Sequence, residues 1–233
     1  KGYENVFVMV PNYQAGRDNV EGFKSTFKGN VVTEVFTPLG HQDFSAELAQ
    51  ISTSDADALF PFMPGGMGVR LVKQFAGAGL KDKMDIMSVF TTDETTLPGQ
   101  QQDAVGFLEA GNWAPDMDNA AKKAFVNAFE AKYEYVTGGY AMQAYDTAML
   151  IDSAVSKVGG DMSNKGAVRE ALKAADFTSV RGDFAFSNNH YPVQDFHMLQ
   201  VVERADGKFH TSYMETMIED YSDSFKQDCA MYL

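Results

Sequence analysis

The stretch FPFMPGGMG, at residues 60–68, joins an apolar run to a helix-like sequence through Pro64 and three glycines. Such a turn often cradles a phosphate, because its bare N–H groups and the positive end of the helix dipole point at one spot. The P-loop pattern requires a lysine where this chain has Val69, and the dinucleotide pattern requires a final glycine where it has Leu71. Nucleotide binding is therefore not expected at this loop.

Other residue types that carry chemistry are sparse. Cys229 is the single cysteine, so no disulfide closes within the chain and no cysteine-based metal site forms. Two interpretations stay open for it: a free thiol, or the partner of a cysteine outside this sequence. The four histidines have no metal-ligand spacing, and no G-x-S-x-G nucleophile motif occurs. We predict no metal, no cofactor and no enzymatic activity.

The composition limits the classes of partner. Hydrophobic residues make up 45% of the chain and charged residues 22%, which is typical of a folded globular protein. The formal net charge of −13 argues against nucleic acid, because a nucleic-acid surface needs clustered lysine and arginine. Apolar runs are only a few residues long, far below the roughly 20 that span a bilayer.

The elements that must position any site alternate through the first half of the chain. Four buried strands are predicted from the segments NVFVMV, NVVTEVFT, ADALFPFM and KMDIMSVF, with helices between them. This β-α-β-α-β-α-β order is typical of a parallel sheet covered by helices. Asp43 is expected to cap the second of these helices.

The second half has a different pattern. Three successive helices are predicted at 118–136, 140–158 and 163–175, with Asp118 and Ser163 as caps of the first and third. Two strands joined at Asp206 and Gly207 then form a hairpin. The chain contains too few strands to form a further sheet against which these helices could pack. We therefore expect the helices either to pack on the first sheet or to require a sheet from sequence before Lys1.

Ligands of open α/β sheets bind beyond the carboxyl ends of the strands, which selects the loops after each predicted strand. Aromatic or apolar walls, close backbone approach and hydrogen bonds would come there from Tyr13, Phe62, Met63, Gly65, Thr91, Thr92 and Asp93. Plain structural roles are the alternatives: a surface turn for Tyr13, core packing for Phe62 and Met63, and helix capping for Asp93 or Glu94. The N–H groups of the glycine loop could also meet a carboxylate.

Four stretches together resemble the type I periplasmic solute-binding proteins of ABC importers, in the family of the leucine/isoleucine/valine-binding protein. They are TPLGHQDFSAELAQI, FPFMPGGMGVRLVKQFAGAGL, VRGDFAFSNNHYPVQDFHMLQVV and DYSDSFKQDCAMYL. The similarity is greatest to the branch that takes up aromatic carboxylates and related hydrophobic acids or amides. It implies an α/β fold of two Rossmann-like lobes joined by a hinge, with the ligand between them.

The resemblance also implies a division of the chain. Residues 1–111 would form most of lobe 2, 112–193 the C-terminal part of lobe 1, and 194–233 a return to lobe 2. The N-terminal part of lobe 1 is absent from this sequence, and we expect it as a second polypeptide or as a lost segment. A ligand-facing tyrosine is implied near Tyr140, with Tyr145 as the alternative, and Trp113 is expected to pack at the hinge.

The function implied by the resemblance is that of an exported, periplasmic solute-binding protein. It would capture a small hydrophobic or aromatic carboxylate, amino acid or amide by closure of the lobes and deliver it to a membrane permease. Two alternatives remain at this point: a ligand-sensing domain of a receptor or regulator with the same fold, and a doubly wound cofactor-dependent enzyme.

Overall fold

The computed structural model describes residues 1–231; Tyr232 and Leu233, the end of the predicted third segment, lie outside the described residues. The first half alternates strands and helices, which confirms the predicted order. Its elements are β1 (Asn5–Pro11), α1 (Gln14–Thr26), β2 (Asn30–Thr37), α2 (Ser45–Thr53), β3 (Ala58–Pro61), α3 (Gly66–Gly77), β4 (Asp85–Ser88), the short α4 (Leu97–Gln100) and β5 (Leu108–Gly111).

These strands form a parallel sheet in the order β2-β1-β3-β4-β5. The central strand β1 is apolar along its length, and residues 6–10 are at most 1% exposed because helices cover both faces. One face packs Phe7 and Met9 against the helices α2 and α3, and the other packs Val6 and Val8 against α1. The carboxyl ends of β1, β3 and β4 therefore open onto one edge of the sheet.

The second half contains the three predicted helices, α5 (Ala120–Tyr133), α6 (Gly139–Lys157) and α7 (Lys165–Lys173), followed by the short strand β6 (Ala185–Phe186). The caps differ from the prediction by one residue. The side chain of Asn119 accepts from the N–H of Lys122 and begins α5, and Asn164 begins α7 in the same way. Asp118 instead pairs with Lys123.

The predicted hairpin is confirmed. Strands β7 (Pro192–Glu203) and β8 (Phe209–Tyr221) pair with each other. At the turn the N–H of Arg204 donates to the carbonyl of Lys208 at 2.7 Å, and Gly207 has φ of 78°. The left-handed backbone explains the glycine at this position.

The chain divides into two compact units. The first comprises Lys1–Ala110 and Leu199–Ser212, and the second comprises Gly111–Met198 and residues 213–231 of the described chain. Strands β7 and β8 contribute residues to both, and the C-terminal part of β7 extends the first unit's sheet beside β5. The assignment of segments 1–111, 112–193 and 194–233 to two lobes stays a prediction. Over residues 1–231, every helix falls short of the length and apolar character that a bilayer crossing requires.

Candidate functional site

An aromatic pair lies where β1 and β3 end. Tyr13 is half-buried at the start of α1, and its ring stacks on that of Phe62 with centroids 6.4 Å apart and planes 15° apart. Phe62 follows β3 directly and is 9% exposed. Adjacent parallel strands bring these two loops together, so the pair forms an apolar wall at the carboxyl edge of the first unit's sheet.

Residues after β3 continue as a turn into α3. Met63 is fully buried and packs in the core of the first unit, which agrees with the alternative of a core role for this residue. Gly65 has φ of 64°, a left-handed conformation that favours glycine. A Cβ at Gly65 or Gly66 would meet no atom within 4 Å, whereas one at Gly68 would lie 2.3 Å from the carbonyl oxygen of Met63. It is therefore at Gly68 that the absence of a side chain lets the helix backbone approach the backbone of Met63.

The two threonines after β4 are buried and hold the loops in place. Thr91 Oγ1 accepts from the N–H of Met63 at 2.9 Å and lies 3.3 Å from the carbonyl of Pro61, to which it donates. Thr92 Oγ1 donates to Glu109 at 3.0 Å. Both side chains are fully buried, so direct contact between either hydroxyl and a ligand stays a prediction.

Asp93 and Glu94 have different partners. Asp93 is half-buried, and its Oδ1 accepts from the N–H groups of Thr95 and Thr96 at 2.9 and 3.1 Å, as a cap does before α4. Glu94 is buried, and its Oε1 accepts from the N–H and hydroxyl of Thr211 on β8 at 2.9 and 2.6 Å. Burial raises the pKa of Glu94 to about 7, against the lowering effect of the Thr211 hydrogen bonds.

Sequence reasoning missed two residues at this edge. Phe90 directly precedes the selected loop, is 42% exposed, and has a left-handed backbone with φ of 57°. Glu109, on β5, is buried and accepts from the N–H of Phe90 at 2.6 Å. A phenylalanine at a strand end looks like a core residue, and the pairing of residues 19 apart leaves no local pattern.

The remaining predicted residues lie in the second unit. Tyr140 is in the first turn of α6 and is 52% exposed, and Tyr145 packs on Phe125 with ring centroids 4.6 Å apart. Trp113 is buried in the second unit's core, where its indole N–H donates to the carbonyl of Val180 at 3.2 Å. This contact orients the ring within the second unit. The role of Tyr140 stays a prediction.

The match to a known protein family covers most of the chain. The profile of the family described as periplasmic binding protein matches residues 1–208. The chain belongs to this family. Its fold is that of the type I periplasmic binding proteins, as the resemblance of the four stretches implied, and the members to which it is similar are binding proteins of transporters.

A curated relative and two solved periplasmic binding proteins illustrate the similarity. The Leu/Ile/Val-binding protein homolog 6 of Brucella melitensis is 28% identical, over 93% of this chain and 57% of its own length. An ABC-transporter solute-binding protein of R. palustris, solved in complex with benzoate, is 30% identical with a TM-score of 0.87, over 96% of this chain and 61% of its own. A third, from Rhodopseudomonas palustris HaA2 in complex with p-hydroxybenzoic acid, is 28% identical with a TM-score of 0.84, over 96% of this chain and 62% of its own.

The chain thus spans less than two thirds of the length of these periplasmic binding proteins. The expectation of a separate companion chain finds no support in these relatives. Among residues 1–231, no three histidine, cysteine or acidic side chains are grouped as a metal site would require.

Proposed function

We propose that this protein is the extracytoplasmic solute-binding component of an ABC importer. It captures a small aromatic or hydrophobic carboxylate, or an amino acid or amide of similar shape, and delivers it to a membrane permease from the periplasm. The ligand contacts the carboxyl edge of the first unit's sheet, where β1, β3 and β4 end.

One observation carries the proposal: three aromatic residues lie at this edge. Tyr13 and Phe62 are stacked, and Phe90 is exposed at the end of β4, which is adjacent to β3 in the sheet. Aromatic side chains favour flat apolar ligands through burial and ring–ring contact. Support comes from the solved relatives that carry benzoate and p-hydroxybenzoic acid.

The start of α3 supplies a place for the ligand carboxylate. The helix begins at Gly66, so its first N–H groups and the positive end of its dipole face the same edge. Gly65 and Gly66 carry no side chain there, and both are exposed. An acid binds with its ring against the aromatic wall and its carboxylate toward these N–H groups.

Removal of single aromatic rings tests the proposal. Phe62→Ala should weaken benzoate binding about tenfold, because an aromatic contact contributes about 0.5–1.5 kcal/mol beyond its buried area. Tyr140→Ala should also weaken it. Calorimetric titration with benzoate, 4-hydroxybenzoate and isoleucine measures both effects.

Phe27→Ala is the matched control. Phe27 packs against the same hydrophobic cluster as Phe62 but follows α1 at the opposite edge of the sheet. We expect it to lower stability and leave affinity within about twofold, since it lies away from the site. Unchanged affinity in both Phe62→Ala and Tyr140→Ala would remove these residues from the site. A response to nucleotides alone would favour the cofactor-dependent alternative.

A further inference from the structure

A buried carboxylate sits beneath the proposed aromatic site. Glu109 extends from β5 and is 5% exposed. Its Oε1 accepts from the N–H of Phe90 at 2.6 Å, and its Oε2 accepts from the hydroxyls of Ser88 and Thr92 at 2.5 and 3.0 Å. All three donors belong to the end of β4 and the loop that follows, so one side chain binds the loop at three points.

The conformation of Phe90 explains why the loop needs such a partner. Its φ of 57° is left-handed, a region that a bulky L-residue seldom adopts unless its surroundings impose it. The N–H of Phe90 donates to Glu109, and the side chain of Phe90 is 42% exposed. The hydrogen bond therefore fixes the backbone from which the exposed ring projects.

The same loop is joined to the loop after β3. Thr91 lies between Phe90 and Thr92, two of the three residues that donate to Glu109. Its hydroxyl accepts from the N–H of Met63 and donates to the carbonyl of Pro61. The carbonyl of Thr91 in turn accepts from the side chain of Gln100 at 2.7 Å. A change in the position of the β4 loop would consequently displace the backbone next to Phe62.

We infer that Glu109 is a positioning residue for ligand binding, which holds Phe90 and Thr92 so that the ring of Phe90 meets the ligand. This role rests on the proposed function, because the aromatic ligand is the one argued above. Glu109 itself is buried and acts through Phe90. The acidic residues next to this network in the loop are Asp93 and Glu94, and Glu94 is bound to Thr211 instead.

The test compares Glu109→Ala with Glu109→Gln, using benzoate and 4-hydroxybenzoate as the probes on the protein as encoded. The glutamine retains an acceptor for the N–H of Phe90, whereas alanine leaves that donor without it. We expect Glu109→Ala to weaken binding about tenfold or more and Glu109→Gln to restore most of the affinity. Thr92→Val, which keeps the side-chain shape, should give an intermediate loss.

Two further measurements separate positioning from a general loss of stability. Glu94→Ala removes an equally buried carboxylate that binds β8, so it should destabilise the protein with a smaller effect on affinity. In a Phe90→Ala background, Glu109→Ala should change affinity less than it does in the native background, since the ring through which Glu109 acts is gone. Additive effects of the two substitutions would overturn the inference.

Amide exchange of Phe90, measured by NMR, tests the same contact without a ligand. We expect exchange to accelerate in Glu109→Ala and Thr92→Val, because the N–H loses its acceptor or the acceptor its support. Unchanged exchange in folded variants would show that Glu109 does not hold the backbone of Phe90, whatever the binding data show. If the native protein binds neither acid, the proposed function fails, and the exchange data still decide whether Glu109 holds the loop.

Discussion

At the residue scale, two buried glutamates of the first unit have strongly raised pKa values. Glu94 and Glu109 both have their pKa raised from the usual 4.5 to about 7, because burial penalises the charged form more than the hydrogen bonds from Thr211, Ser88 and Phe90 favour it. In either charge state an oxygen remains to accept an N–H, so the loop contacts do not depend on ionisation alone.

These shifts make stability depend on pH with a definite sign. The folded protein binds more protons than the unfolded chain between about pH 4.5 and 7, so the free energy of unfolding falls as pH rises through that window. A Gln at either position removes the titration. Relative to the native protein, Glu94→Gln should gain about 3 kcal/mol in unfolding free energy between pH 4.5 and pH 8.

Urea unfolding at a series of pH values measures this gain. Glu109→Gln should show a change of the same sign, since its carboxylate is also buried and its pKa is also raised. A stability difference between variant and native protein that stays constant with pH would show that neither carboxylate carries the shift.

The sequence predicted part of the site at this scale. Tyr13 and Phe62 were selected because they follow buried strands, and their stacking follows from the adjacency of β1 and β3. Glu109 had no local signal, since it resembles any polar residue near a strand end and its three donors lie 17 to 21 residues earlier. The side-chain contacts between neighbouring strands depend on tertiary packing. The local pattern of apolar and polar residues does not predict them.

At the scale of elements, two helices begin directly against the strand ends that precede them. The third residue of each is a glycine whose Cβ would collide with a strand-end carbonyl: Gly16 with Pro11 at 2.0 Å and Gly68 with Met63 at 2.3 Å. The absence of a side chain lets the first turns of α1 and α3 approach the sheet edge. The position of the α3 N–H groups therefore depends on Gly68.

A single methyl group should reveal this dependence. Gly68→Ala places a carbon against the Met63 carbonyl and within 2.8 Å of the Thr91 carbonyl, so backbone must shift. We expect a loss of about 2 kcal/mol in unfolding free energy, as for other overpacked sites, together with weaker acid binding.

Gly66→Ala is the matched control, two residues earlier in the same helix. A Cβ there meets nothing within 4 Å, and alanine favours the helix, so stability should be unchanged or slightly higher. Thermal unfolding of both variants measures the contrast. Equal stability of the two variants would contradict the close packing at Gly68.

Apolar periodicity predicted the order of the elements because it reports which faces are buried. The hairpin followed from Asp206 and Gly207, whose turn conformation is local. The helix caps were missed by one residue because Asp118 and Asn119 are both capping types, and so are Ser163 and Asn164. Which of two neighbours caps a helix depends on the direction from which the chain enters it.

At the scale of the whole molecule, the chain carries a net negative charge and covers only part of the length of its relatives. A net charge of −13 gives no long-range attraction for an anionic acid, so recognition must come from short-range contacts at the sheet edge. The chain covers 57% of the length of a curated relative to which it is similar.

The proposed function requires that this protein bind a small aromatic carboxylate. Calorimetric titration of the protein as encoded with benzoate, beside isoleucine and a nucleotide, tests it most directly. We expect saturable one-to-one binding of benzoate with a negative heat-capacity change, because binding buries an apolar ring. Absence of saturable benzoate binding would refute the proposal, and binding of the nucleotide in its place would favour the cofactor-dependent alternative.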